Sequence, residues 1–271
     1  YNNNNVQSGT VTNNNVNTNN GTMTYNNNNA MSGSVTYTNN NVQTVNQPPE
    51  VDLTQFINLG FYFNNDYPDP KTKQVVSSQP FQTLVTQYLT QKPIFEAENQ
   101  KNGAAIVEQV GNFFPDVIQD NYEKSQELLK NIADAIVNKN QRVTLTLQGS
   151  ASAPATGDYN VFLSKRRIDS VLQYFAGFEF VSGEQTIKLQ QLIDSKKLII
   201  NEIAYGESAT NVYYRSYKSQ IQSAQPINCT DGDLNTSTDP TVTWYGVKPM
   251  ACRVVRVSAV SIEPLAPPPP D

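Results

Sequence analysis

VTLTLQGSASAPATGDYNVFLSKRRIDSVLQY, residues 143–174, is the stretch that sets the fold class. Val143, Leu145 and Leu147 alternate with polar residues, the pattern of a strand with one buried face. Gly, Ser, Ala and Pro then crowd the next residues and mark a loop. Beyond it Leu163, Arg167, Val171 and Tyr174 recur at helical spacing, which predicts an amphipathic helix.

This strand, loop and helix resemble the peptidoglycan-binding domain found at the C-terminus of outer-membrane protein A (the OmpA-like domain) and in flagellar-motor stator proteins. In that family a strand ends in Gly-His-Thr-Asp and the next helix opens Asn-x-x-Leu-Ser-x-x-Arg. The helix motif is intact here as Asn160, Leu163, Ser164 and Arg167. Gly149 is kept in the loop, but Ser152 stands where the family has its aspartate. The resemblance implies an α+β fold, a β-α-β-α-β mixed sheet with helices on one face. Leu53–Phe63 is the expected first strand and 64–70 a polar, Pro-rich exit loop. Residues 115–138 are an expected helix, with Val117, Ile118, Leu128, Leu129, Ile132 and Ile136 as its buried stripe and Pro115 near its start. Leu198–Ala204 is a third strand, and Tyr205-Gly206-Glu207-Ser208 resembles the family's Gly-Glu-Ser turn. Arg253–Ile262 is similar to its closing strand, with Val254 where a second arginine would fall. The run 71–112 has no family counterpart and reads as an insertion. With the phrase FYFNNDYPDP it resembles a longer, Bacteroidota-like variant whose loop reads Gly-x-Ala-Ser.

The resemblance also implies a ligand site. In the family the aspartate and arginine clamp the amine and carboxylate of the diamino acid in the peptidoglycan stem peptide. The arginine offers a planar fork and the aspartate a counter-charge. Ser152 brings no charge, and losing one member of such a pair costs about 1.5–3 kcal/mol. Asp158 lies nearby in sequence as a substitute. The site equivalents are therefore Ser152, Asp158, Asn160 and Arg167. The alternative is that Arg167 has become a structural residue and only the fold is retained.

The first 48 residues are a different polymer, a 12-residue repeat: YNNNNVQSGTVT, NNNVNTNNGTMT, YNNNNAMSGSVT and a truncated YTNNNVQTVNQP. Fixed-period self-similarity marks a repeat architecture. No charged residue precedes Glu50. One reading is a polar linker that buries too little apolar surface to fold. The other, which we expect, is a β-repeat arm: Thr-Val-Thr-Tyr alternates, and Asn20-Gly21 is a hairpin-turn signal. Such strands, with neither Lys nor Pro to blunt their edges before Pro48, suit pairing with other subunits. The expected division is an arm at 1–48, a domain at 49–262 and a Pro-rich tail at 263–271.

Composition narrows the function. Net charge is −5 and the sequence pI about 4.9, so nucleic acid is not an expected partner. No apolar run reaches the length of a membrane span. Tyr1 is not a start residue and no signal peptide is visible, so the chain is expected to be processed or truncated. The chain has no histidine, which removes histidine-based nucleophilic sites and the commonest zinc ligand. No cofactor, metal or catalytic residues are expected; Asp231-Gly-Asp233 with Asp239 is a weak echo of a calcium loop. Cys229 and Cys252 are an even pair without metal spacing and predict a disulfide, hence an oxidising compartment. The expectation is a non-catalytic structural protein of the bacterial cell envelope (periplasmic and outer-membrane-associated) or cell surface. The alternative is a peptidoglycan-binding anchor of an outer-membrane complex.

Overall fold

A computed structural model describes residues 52–153, 157–219, 223, 225–230, 239, 241 and 243–265. The asparagine-rich arm, the Asp231–Asp233 turn and Pro267–Pro270 lie outside the described residues. The chain opens with β1 (Gly60–Tyr62), then three helices, α1 (Phe81–Leu89), α2 (Lys92–Glu98) and α3 (Ala104–Phe113). A long helix, α4 (Asp120–Val137), leads into β2 (Gln141–Ser150) and α5 (Gly157–Gly177). A hairpin of β3 (Glu179–Ser182) and β4 (Gln185–Lys188) follows, then α6 (Leu189–Asp194) and β5 (Leu198–Gly206). The closing elements are α7 (Val247–Cys252) and β6 (Val254–Pro264).

The fold is α+β around a mixed four-stranded sheet in the order β1-β6-β2-β5. β6 runs antiparallel to both β1 and β2, while β2 and β5 are parallel. The alternation expected in β2 is present: Val143, Leu145 and Leu147 are buried and Arg142, Thr144, Thr146 and Gln148 are half-buried. α5 lies on the buried face, since a Cβ added at Gly149 would fall 2.8 Å from the Ser164 carbonyl oxygen. α4 joins the same core through Leu128, Leu129, Ile132 and Ile136.

The structure corrects several boundaries. The expected first strand shrinks to Gly60–Tyr62. Asp52 draws the chain into a turn by accepting bonds from the Thr54 amide and hydroxyl, and Asn58 is left-handed at φ 68°. The expected helix start at Pro115 falls inside a longer helical run. Six residues of π-helix, Phe114–Gln119, join α3 to α4 and absorb the proline's missing N–H. The expected tail loses two residues to β6. Pro264 sits on its last rung, beyond the reach of β1, where a strand edge tolerates proline. The region read as an insertion, 71–112, contributes to the core. Phe81 packs edge-on at 5.2 Å against both Phe61 and Phe63, and Val85, Phe95 and Val110 are buried.

α5 is buried nearly all round, because residues 64–79 wrap its outer side. This loop contains the cis bond Tyr67–Pro68 and three left-handed residues, Asp66, Asp69 and Lys71. Aspartate tolerates that backbone better than most residues, because its carboxylate can bond locally. Asp66 accepts from the Lys71 amide at 3.2 Å and from the Tyr159 hydroxyl on α5; Asp69 accepts from the Ser78 amide at 2.8 Å.

Candidate functional site

The residues that carried the family resemblance lie around the loop between β2 and α5. Asn160 is buried in the first turns of α5 and donates to the Glu207 carboxylate at 2.6 Å. Glu207 belongs to the turn after β5, where Gly206 is left-handed at φ 60° and packs against the backbone of Asn160 and Val161. The helix motif and the Gly-Glu-Ser turn, 47 residues apart, thus meet. Ser164 donates back to the Asn160 carbonyl at 2.8 Å and Leu163 is in the core.

Arg167 is 1% exposed. Its Nη1 donates to the Ser150 carbonyl at 2.8 Å, its Nε to the Tyr67 carbonyl at 3.0 Å and its Nη2 to the Asn64 carbonyl at 3.4 Å. The guanidinium also lies over the Phe63 ring, 5.5 Å from its centre. Burial, then the charges of Arg253 and Arg166, draw its pKa down to about 9, so it is still a cation at neutral pH. Ser152 is buried and accepts from Arg253 Nε at 3.2 Å. Asp158 is exposed in the first turn of α5. Ser152, Asn160 and Arg167 are therefore all engaged inside the fold, and Asp158 is not drawn in with them.

Two further arginines belong to this cluster: Arg166, which was not singled out from the sequence, and Arg253, which was read only as the opening of the closing strand. Arg166 is fully buried; its Nε donates to the Pro68 carbonyl at 2.7 Å, and its Nη1 to the carbonyls of Thr72 and Gln74 at 2.9 and 2.6 Å. Arg253 is fully buried and donates through Nη2 to the Trp244 carbonyl at 2.8 Å. Burial pushes its pKa down, while the neighbouring Tyr88 hydroxyl works the other way. Three buried guanidiniums are thus held largely by backbone carbonyls. Among the described residues none of the three forms a salt bridge. The sequence signal available was the doublet Arg166-Arg167 beside a loop whose prolines lack N–H donors and leave carbonyls to be satisfied.

A hollow of 370 Å³ beside Ser152 lies against the Cys229–Cys252 disulfide, with Gln109, Tyr214 and Lys248 on its walls. The disulfide is formed as the sequence predicted, and it ties the loop at Cys229 to the end of α7. Among the described residues there is no cluster of three or more potential metal ligands and no helix long and apolar enough to cross a membrane. No protein-family model, curated protein or solved structure matches the chain.

Proposed function

We propose that residues 52–262 are a divergent OmpA-like module of the bacterial cell envelope or surface, serving as a non-catalytic structural part of a larger assembly. On this reading residues 1–48 make the subunit contacts. What supports the reading is the mixed α+β fold class, together with the contact of Asn160 with Glu207, which joins two of the motifs that carry the resemblance. The burial of Arg167 carries the choice between module and anchor. Its donors are spent on the carbonyls of Ser150, Tyr67 and Asn64, so no free fork is left for a stem-peptide carboxylate. Ser152 supplies no counter-charge, and Asp158 faces solvent.

The test is co-sedimentation of the full chain with purified sacculi at physiological salt. The expected outcome is that the protein stays in the supernatant. Pelleting that is abolished by Arg167→Ala, with the variant still folded by circular dichroism, would show the anchor instead. The assembly half of the reading is tested by deleting residues 1–48. A folded domain that no longer self-associates or joins its native particle supports it; unchanged assembly removes the arm from the proposal.

A further inference from the structure

A second groove lies on the side of the molecule where α1 and α2 meet the loop before α7. It consists of two hollows of 330 and 90 Å³ that share Asn64 and Gln91 on their walls. Its lining has a consistent chemistry. Carboxamides come from Asn64, Asn65 and Gln91, and aromatic surface from Trp244, Tyr245 and Phe95. Tyr67 and Tyr88 extend it into the smaller hollow. No charged side chain lines either part. Three large apolar or aromatic side chains left exposed by the fold, Tyr67, Ile94 and Trp244, gather on its walls.

The groove is held in shape from behind. Arg253 donates to the Trp244 carbonyl at 2.8 Å, and Asn99 to the Tyr245 carbonyl at 3.1 Å. The Tyr245 ring stands edge-on to Phe95 at 4.9 Å. The polar groups facing the groove retain bonding capacity. Among the described residues nothing bonds the Asn65 carboxamide, and Gln91 has one long contact, from Nε2 to the Thr90 hydroxyl at 3.3 Å. Tyr88, 1% exposed, lines the smaller hollow with the Arg253 guanidinium beside its hydroxyl.

From this geometry we infer that the groove binds a neutral saccharide. A carboxamide presents a donor and an acceptor side by side, which matches two neighbouring hydroxyls of a sugar ring. The flat face of an exposed indole covers the ring's C–H surface, burying apolar area while the hydroxyls remain at the edges. The absence of charge from the walls disfavours phosphates, carboxylated sugars and charged peptides, whose desolvation would go uncompensated. A hollow of 330 Å³ falls in the size range of small-molecule sites. The inference is independent of the proposed module function, since it uses neither Arg167 nor the arm.

Trp244 is the only tryptophan of the chain, so its fluorescence reports this site alone. The full-length protein is titrated with cellohexaose, maltohexaose, laminarihexaose, xylohexaose and chitohexaose. The expected result is a saturable shift of Trp244 emission with at least one of them, half-complete below about 1 mM. Raising the salt concentration should leave the affinity unchanged, because screening acts on charges and the groove has none. Asn65→Ala and Gln91→Ala should each weaken binding about tenfold without moving the thermal midpoint, and Trp244→Ala should abolish the binding heat by calorimetry. The exposed-amide control Gln190→Ala should bind like the parent. Silence of the whole panel at about 10 mM, binding that survives all three groove variants, or tighter binding of an uncharged peptide such as N-acetyl-tetra-alanine amide would overturn the inference.

Discussion

Arg167 shows what a buried guanidinium demands of the backbone around it. A guanidinium forced out of water needs its N–H groups satisfied, and here backbone carbonyls do this in place of a carboxylate. Arg167→Ala should therefore destabilise the domain by about 3 kcal/mol or more, since it leaves buried carbonyls unpaired and opens a cavity. Arg167→Lys should recover less than half of that, because an ammonium on a flexible stem cannot span three carbonyls set out for a planar fork. Urea unfolding followed by circular dichroism measures both. An alanine variant within about 0.5 kcal/mol of the parent would mean that water replaces the guanidinium, and that its role in pinning the loop is minor.

The β2–α5 unit shows what periodicity can and cannot reveal at the level of elements. Its strand and helix were legible because alternation and helical spacing both survive in residues 143–174. The close approach of the two was signalled by Gly149 alone. Any Cβ there would meet the Ser164 carbonyl oxygen at 2.8 Å and Ile168 at 3.0 Å. Gly149→Ala should cost about 1–3 kcal/mol, read as a lower thermal midpoint, because one contact is backbone and cannot turn aside. The first strand was over-read because side-chain pattern does not register the Asp52–Thr54 turn or the left-handed Asn58. α3 was missed because Pro115 reads as a helix start, whereas π-helical widening lets the helix continue through it. The burial of Arg166 was illegible for a related reason: a charged residue on a helix reads as solvent-facing until a loop distant in sequence covers it. The cysteine pair was legible by count. Replacing both Cys229 and Cys252 by alanine should lower stability by roughly 3 kcal/mol for a link across 23 residues, on the chain-entropy account. Intact mass under non-reducing conditions should show the native chain two hydrogens lighter than the reduced one. Two freely alkylated thiols would refute the bond.

Across the whole molecule the buried tyrosines and arginines set opposing responses to alkali. Burial pushes Tyr88, Tyr174 and Tyr217 up to about 12 and raises Tyr62, Tyr159 and Tyr214 as well. An unfolded tyrosine loses its proton near about 10. Each raised tyrosine therefore contributes stability that is complete below about pH 10 and lost as pH climbs through its folded value. The arginines act with the opposite sign. Arg167 releases its proton near 9 in the folded chain, and Arg253 and Arg256 are also lowered, so unfolding takes protons up and rising pH favours the fold. Arg167 acts first, which predicts a thermal midpoint that holds steady or rises slightly between about pH 9 and 10. Above that the tyrosines outnumber the arginines and the midpoint should fall steeply. By tyrosinate absorbance the raised tyrosines should ionise only as the chain unfolds. Tyr217→Phe separates this mechanism from general base damage. The Tyr217 hydroxyl has no hydrogen-bond partner, and its ring contact with Arg215 at 4.0 Å would survive in phenylalanine. The variant should match the parent at neutral pH and unfold at a higher pH in alkali. An unchanged alkaline limb, or tyrosines that all ionise together while the fold persists, would show that these hydroxyls reach water more freely than their burial implies.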